Sequence, residues 1–467
     1  MRACRAAAAE FATPLSRITR HSRAPMEEGR PTILASPMVH QSDLAFRLQV
    51  RRYDVDIAST PMLHARLLSE SRPYRDQELQ THPDDFPLMA QLCGHDPGEF
   101  TKAAGVLRDV GVSAVDINFG CPQNVAKRGK YGAYLLEDVP LMQRLVSAVA
   151  DAMEGTSIPV TCKMRCLDTH EATLGVAKSL VDAGASVLTI HGRTLRQNKQ
   201  RSGSANWGMM RDVCDALRAA YTAGSGRGVS VVANGSVASL CDAEKLAAFT
   251  GAEGVMSAEA LLENPAAFMR DAVVACHKVE CASADDDSQT FARHDTALIR
   301  SALYELRQSA LAAEYISISR ELIDVHGTYL KPVRAHLFKY AHASMKQDPS
   351  MHDIRDAFAR ERSFNGLSRA TDMLGARCRD KMLAAVRNTE KSDDPIMRAL
   401  LEDVVPLLSL CGSASLSHLV VKSVMRVLGR HFPGDTANTE AGWYFRHPRG
   451  LNENVQQAFS PLFLNFC

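Results

Sequence analysis

The 467-residue chain has no surplus of charge of either sign, with 54 Lys and Arg against 53 Asp and Glu. A bulk electrostatic pull toward nucleic acid or a membrane surface is therefore excluded, and any basic surface has to be local. No run approaches the roughly 18 uncharged apolar residues that a membrane-spanning helix needs, so no membrane partner is expected. The twelve cysteines include no CxxC pair. Cys162 and Cys166, like Cys276 and Cys281, lack histidines at zinc-finger spacing, so no metal is expected. Scattered thiols with no secretory segment read ahead of them fit a reducing compartment and free cysteines.

What is present divides the chain into regions. Single cores rarely grow beyond about 250 residues, so one large α/β domain and a smaller one are expected. Residues 1–30 are expected to form a flexible extension. Between residues 2 and 23, Arg2, Arg5, Arg17, Arg20 and Arg23 outnumber the one acid, Glu10, as in a mitochondrial presequence. The cytoplasm is the first expectation for location and the mitochondrion the alternative.

Between residues 31 and 275, eight apolar runs alternate with amphipathic stretches. The runs begin at Thr32, Val55, Phe86, Ala114, Pro159, Ser186, Ser230 and Glu253. Between them, stripes such as Phe100, Ala103, Ala104, Leu107 and Val110 behind Asp96-Pro97 have the period of a capped helix. Eight such units predict a (β/α)8 TIM barrel. The acidic Ser283-Ala-Asp-Asp-Asp-Ser marks a linker over 276–295. A smaller all-helical domain is expected over 296–378, and a helical C-terminal extension without recognisable chemistry over 379–467.

In such barrels the active site lies at the C-terminal strand ends, and here those ends are polar. They carry Ser36-Pro37-Met38, Gln91, Asn118 with Cys121, Lys163 with Arg165, His191 with Arg193, Asn234 with Gly235, and Ser257-Ala258-Glu259. A flat heterocycle with a polar edge and a phosphate tail suits this ring of groups, as in flavin mononucleotide (FMN). Lys163 would hold negative charge on the reduced ring and Gln91 would meet its imide edge. Loops after the seventh and eighth strands, around Gly235 and Ala258, are the usual phosphate cradle. In Asp116-Ile-Asn-Phe-Gly-Cys-Pro, Gly120 and Pro122 force a tight turn that presents the Cys121 thiol. A thiol of ordinary pKa, about 8.5, is mostly protonated at neutral pH and is able to act as an acid.

These motifs together resemble the dihydrouridine synthases, most closely the eukaryotic class acting on positions 16 and 17 of the tRNA D-loop. The likeness runs from about Thr32 to Cys378 through Ala35-Ser-Pro-Met-Val, Thr60-Pro-Met-Leu-His, Asp116-Ile-Asn-Phe-Gly-Cys-Pro-Gln, Ala126-Lys-Arg-Gly-Lys-Tyr-Gly-Ala, Val160-Thr-Cys-Lys-Met-Arg, Ile190-His-Gly-Arg-Thr, Val232-Ala-Asn-Gly and Gly254-Val-Met-Ser-Ala-Glu, and, past the barrel, Val333-Arg-Ala-His-Leu-Phe-Lys. The resemblance implies an NAD(P)-dependent flavin oxidoreductase that reduces uridine to 5,6-dihydrouridine. NADPH would be the electron donor, FMN would pass hydride to C6, and Cys121 would protonate C5 with Asn118 orienting the base.

It also implies FMN contacts at Ser36, Pro37, Met38, Gln91, Lys163, His191, Asn234, Gly235, Ala258 and Glu259. Ala258-Glu259 stands where bacterial members have Gly-Arg, so phosphate contacts there are expected from backbone amides. The tRNA would be gripped by basic clusters containing Lys127 and Arg128, Arg193 and Arg196 with Lys199 and Arg201, and Arg334 and Lys339 in the stretch from Lys331 to Lys346. A monomer is expected. Two other readings compete: an FMN reductase of the dihydroorotate dehydrogenase type, which would need no basic helical domain, and a catalytically silent tRNA-binding protein, which would need no Cys121.

Overall fold

A computed structural model describes residues 15, 30–197, 203–221, 228–270, 290–326, 330–389, 395–410 and 417–431. All eight expected runs are strands: β1 Thr32–Ala35, β2 Ile57–Ser59, β4 Leu88–Cys93, β5 Ala114–Phe119, β6 Val160–Arg165, β7 Val187–His191, β8 Ser230–Asn234 and β9 Gly254–Ser257. Each pairs in parallel with its neighbour, and β2 closes the ring by pairing with both β1 and β4. The architecture is a closed (β/α)8 barrel followed by helices. A two-residue strand absent from the sequence reading, β3 Leu63–His64, adds to β4 beyond the end of β2.

The helices start where the sequence supplies a cap. Asp96 accepts from the Glu99 amide at 2.9 Å to open Pro97–Val110, and Asp138 accepts from Leu141 N at 3.0 Å to open Val139–Ala152. Both caps satisfy amides that have no partner inside the helix.

Alternate strand residues point into the barrel. Their sequence, read upward, runs from apolar to polar: Met89 then Gln91, Ala114 then Asp116 and Asn118, Val187 then Thr189 and His191, Val232 then Asn234. The lower residues form a separate buried cluster of Leu34, Ile57, Met89, Ala114, Val187, Val232 and Met256 with Leu15. Leu15 lies within the stretch expected to be a flexible extension, most of which is outside the described residues. This residue corrects that expectation at one point, being 1% exposed with its amide donating to Ser230 Oγ at 3.1 Å. The physical reason is that a barrel needs an apolar floor.

The linker run at 283–288 lies outside the described residues. Helix Thr290–His326 begins before residue 296, and helix Phe364–Thr389 runs unbroken through 378, so neither expected boundary falls between elements. The basic stretch is two helices, Leu330–Tyr340 and His342–Gln347.

The helical domain docks on the barrel helix Leu44–Arg51 through buried polar groups. His336 Nε2 lies 2.9 Å from Asp43 Oδ1, its ring between Phe46 and Tyr315, and Tyr315 donates to Asp43 Oδ2 at 2.9 Å. Tyr340 donates to Gln49 Oε1 at 2.7 Å, while Glu314 accepts from Tyr53 at 2.7 Å and from Arg52 at 3.1 Å. Among the described residues, no helix is long and apolar enough to cross a membrane, and no group of three His, Cys, Asp or Glu side chains converges as a metal site.

Candidate active site

A cavity of about 580 Å³ opens at the C-terminal ends of the strands, within the ~300–1,000 Å³ range of small-molecule sites. The structure gathers Ser36, Pro37, Met38, Gln91, Asn118, Cys121, Lys163, His191, Asn234, Gly235, Ala258 and Glu259 on its walls. Arg193 and Lys339 also reach it, the latter from helix Leu330–Tyr340 of the helical domain. Four residues expected to grip the substrate do not line the cavity. Lys127 and Arg128 are exposed on the short helix Asn124–Gly129 that follows the Cys121 turn, and Arg196 is exposed beyond β7. Arg334 turns its Nη2 to the Glu361 carbonyl at 2.5 Å. Lys199 and Arg201 lie outside the described residues.

Cys121 is partly buried, and its turn is held from three sides. Asn118 Oδ1 accepts from Gly120 N at 3.0 Å and Cys121 N at 2.9 Å. Arg165 Nε donates to the Gly120 carbonyl at 2.8 Å. From the far side, Ala133 N donates to the Cys121 carbonyl at 3.1 Å, and Tyr134 donates to the Pro122 carbonyl at 3.1 Å. Gly132 makes this approach possible: at φ +68°, a Cβ there would stand 2.8 Å from the Cys121 oxygen. Only glycine combines that backbone conformation with that contact.

Burial raises the Cys121 thiol above its ordinary pKa, against the opposing influence of the Gln123 amide, Arg165 and Lys163. A proton donor benefits from this direction, because the thiol stays protonated at neutral pH.

Lys163 Nζ donates to Asn234 Oδ1 at 3.0 Å, and Asn234 Nδ2 is anchored to the Met256 carbonyl at 2.7 Å. Burial lowers Lys163 to about 8, and neighbouring Arg165 adds to the effect, while Asp116 opposes it. His191 Nε2 lies 3.2 Å from Arg193 Nη1. Because guanidinium only donates, Nε2 is the acceptor there and Nδ1 carries the ring proton. Arg193 is otherwise tied to Gly203 O and Ser236 Oγ, so its charge supports the loop that includes Gly235.

Below the cavity, burial raises Asp116 to about 6 even though Thr161 and Gln91 donate to it. Three features escaped the sequence reading: the Thr161–Asp116 contact, the grip of Arg165 on the turn, and the clamp made by Gly132 and Tyr134. A signal existed for two of them. Thr161, Lys163 and Arg165 alternate on one strand and so share its inward face.

The model of the dihydrouridine synthase family matches residues 33–361. The chain belongs to the dihydrouridine synthase family. Among relatives, the tRNA-dihydrouridine(16/17) synthase [NAD(P)(+)]-like protein of Rattus norvegicus is 34% identical over 366 residues, which is 77% of this chain and 70% of that protein. The tRNA-dihydrouridine(16/17) synthase of Saccharomyces cerevisiae is 40% identical over 243 residues, or 51% of this chain and 55% of that enzyme. A tRNA-dihydrouridine(20a/20b) synthase-like protein of Homo sapiens is 33% identical over 240 residues, or 51% of this chain and 71% of that protein. The alignments cover 70%, 55% and 71% of these relatives' own lengths. The residues matched by the dihydrouridine synthase model include the Cys121-Pro122 turn just after β5 and the helix Leu330–Tyr340.

Proposed function

We propose that this protein reduces uridine to 5,6-dihydrouridine in the tRNA D-loop, at positions 16 and 17, with FMN as cofactor and NADPH as electron donor. The observation that carries the reading is the Cys121 thiol, held protonated on a clamped turn at the mouth of a polar barrel cavity.

The residues present fit a flavin. Lys163 uses one of its three donors on Asn234, which leaves two for an anionic ring beside it. Gly235, at φ +119°, lies so close to Ala205 and His191 that a Cβ would approach within 2.8 Å, and it brings bare backbone to the end of the cavity where a phosphate would rest. Ser36, Pro37, Met38, Gln91, His191, Asn234, Ala258 and Glu259 would complete the holding set. Bound FMN supplies hydride to C6 of the uracil ring.

The chain's own task follows from uracil chemistry. The C5=C6 bond is conjugated to the C4 carbonyl, so addition at C6 leaves enolate character that must be protonated at C5. Cys121 Sγ gives that proton, and Lys163 steadies negative charge in the cavity. The base leaves the tRNA stack to enter the mouth, while Lys127, Arg128, Arg196 and Lys339 form basic points around it for phosphate.

The direct test is dihydrouridine mapping in tRNA from cells lacking the protein, joined to turnover of the purified enzyme. Loss confined to positions 16 and 17 is expected. A yellow preparation that NADPH bleaches without forming dihydrouridine in tRNA would remove this reading.

A further inference from the structure

Asp116 is wholly buried on β5, two residues below Asn118, and it touches neither the cavity nor solvent. Hydrogen-bond direction can be followed from the Cys121 turn down to it. Backbone N–H groups only donate, so the Asn118 atom facing Gly120 N and Cys121 N is its carbonyl oxygen. Asn118 Nδ2 must then donate, and it does so to Gln91 Oε1 at 2.9 Å and to the Met62 sulfur at 3.5 Å. This orients the Gln91 amide so that Nε2 donates to Asp116 Oδ2 at 2.7 Å. Thr161 donates to the remaining oxygen, Oδ1, at 2.6 Å.

Every link therefore runs toward one group, a carboxylate that only accepts when ionised. An amide flipped at either step would set donor against donor or acceptor against acceptor, and in a dry interior such a mismatch is costly. We infer that Asp116 is a positioning residue for the Cys121 thiol, fixing the orientation of Gln91 and Asn118 and through them the turn that carries the proton donor. The inference rests on the function proposed above for its catalytic meaning, although the positioning itself is a property of the fold. A proton donor displaced by about 1 Å loses most of its effect.

The test uses the full chain with its flavin. In Asp116→Ala, single-turnover dihydrouridine formation by prereduced enzyme should fall at least tenfold, while bleaching by NADPH, which needs no thiol, stays within threefold. Iodoacetamide labelling of Cys121, followed by mass spectrometry without tRNA, should quicken at least fivefold because the turn is no longer held. Asp116→Asn keeps an acceptor for Gln91 Nε2 and should restore both readouts to within threefold of wild type. Gln91→Leu cuts the chain one link later and should give the same faster labelling, including in the case that Asp116→Ala does not accumulate. The double variant should label no faster than the quicker single variant, since both changes break one chain. Equal slowing of bleaching and dihydrouridine formation in Asp116→Ala, unchanged labelling in both single variants, or additive labelling effects would overturn the inference. An enzyme inactive on tRNA in wild-type form would sink the proposed function and leave the labelling outcome to decide this point.

Discussion

Two buried polar networks organise this protein, and they end differently. The one between the barrel and the helical domain turns inward: Asp43, His336, Tyr315, Gln49, Tyr340, Glu314, Tyr53 and Arg52 bond mainly to one another, with His336 Nδ1 the buried atom among them that has no partner. The one at the barrel mouth runs from Thr161 and Asp116 through Gln91 and Asn118 and stops at a cavity lined by Cys121 and Lys163. A closed network fixes how two domains meet. An open one holds groups ready for a ligand, and a partly satisfied buried network persists only where something outside completes it.

Breaking each network should therefore give different symptoms. The largest effect is expected at the open end: Cys121→Ala should cut dihydrouridine formation by about 10²–10⁴-fold, the usual contribution of a general acid, with flavin content unchanged as read by absorbance. A fully active variant would dissolve the contrast.

At the closed network, Asp43→Ala strands His336 and Tyr315 and should lower unfolding stability by about 3 kcal/mol in urea titration, as expected for a buried pair that loses one partner. Burial alone would raise the Asp43 carboxyl, but His336 and then Tyr315 overcome that and hold it below its ordinary value. Cys121 labelling should not change in this variant. A change there would mean that the two networks are one.

The third difference is in pH dependence. Asp116 is raised from 3.8 to about 6 in the folded chain by burial, so the folded state retains the proton more tightly than the unfolded one. Its favourable contribution is present below about pH 4 and is lost as pH rises through about 6. The stability of wild type relative to Asp116→Asn should accordingly fall by on the order of 2 kcal/mol between pH 4 and pH 7. A flat difference would show that Asp116 titrates normally. The smallest effect is expected from Gly132→Ala, where strain at positive φ and the contact with the Cys121 carbonyl should slow dihydrouridine formation by about tenfold, with the fold retained by circular dichroism.

Much of the architecture was legible because it is written in neighbours along the chain. Eight runs of apolar residues became eight strands with ends displaced by a residue or two, and the position of Gln91, Asn118, Lys163, His191 and Asn234 at the C-terminal ends of those runs placed them at the polar upper end. Gly120 and Pro122 likewise marked the Cys121 turn without reference to anything distant. Where the helical domain begins was less legible, since helix Thr290–His326 starts within residues whose composition reads as linker. Residue 378 falls inside a helix because amphipathic periodicity carries no stop signal there.

The sequence by itself thus determined the barrel, the residue types at its mouth and the tight turn with its thiol, because strand periodicity and turn chemistry act over a few residues. Tertiary structure alone decided which way the Gln91 and Asn118 amides point, that Asp116 lies beneath them, that Arg334 turns away while Lys339 reaches the cavity, and that Leu15 closes the floor. It also decided how the helical domain sits, since Asp43 and His336 are 293 residues apart. Such pairings depend on which distant groups the closed barrel brings within hydrogen-bond range, and no local pattern encodes that distance.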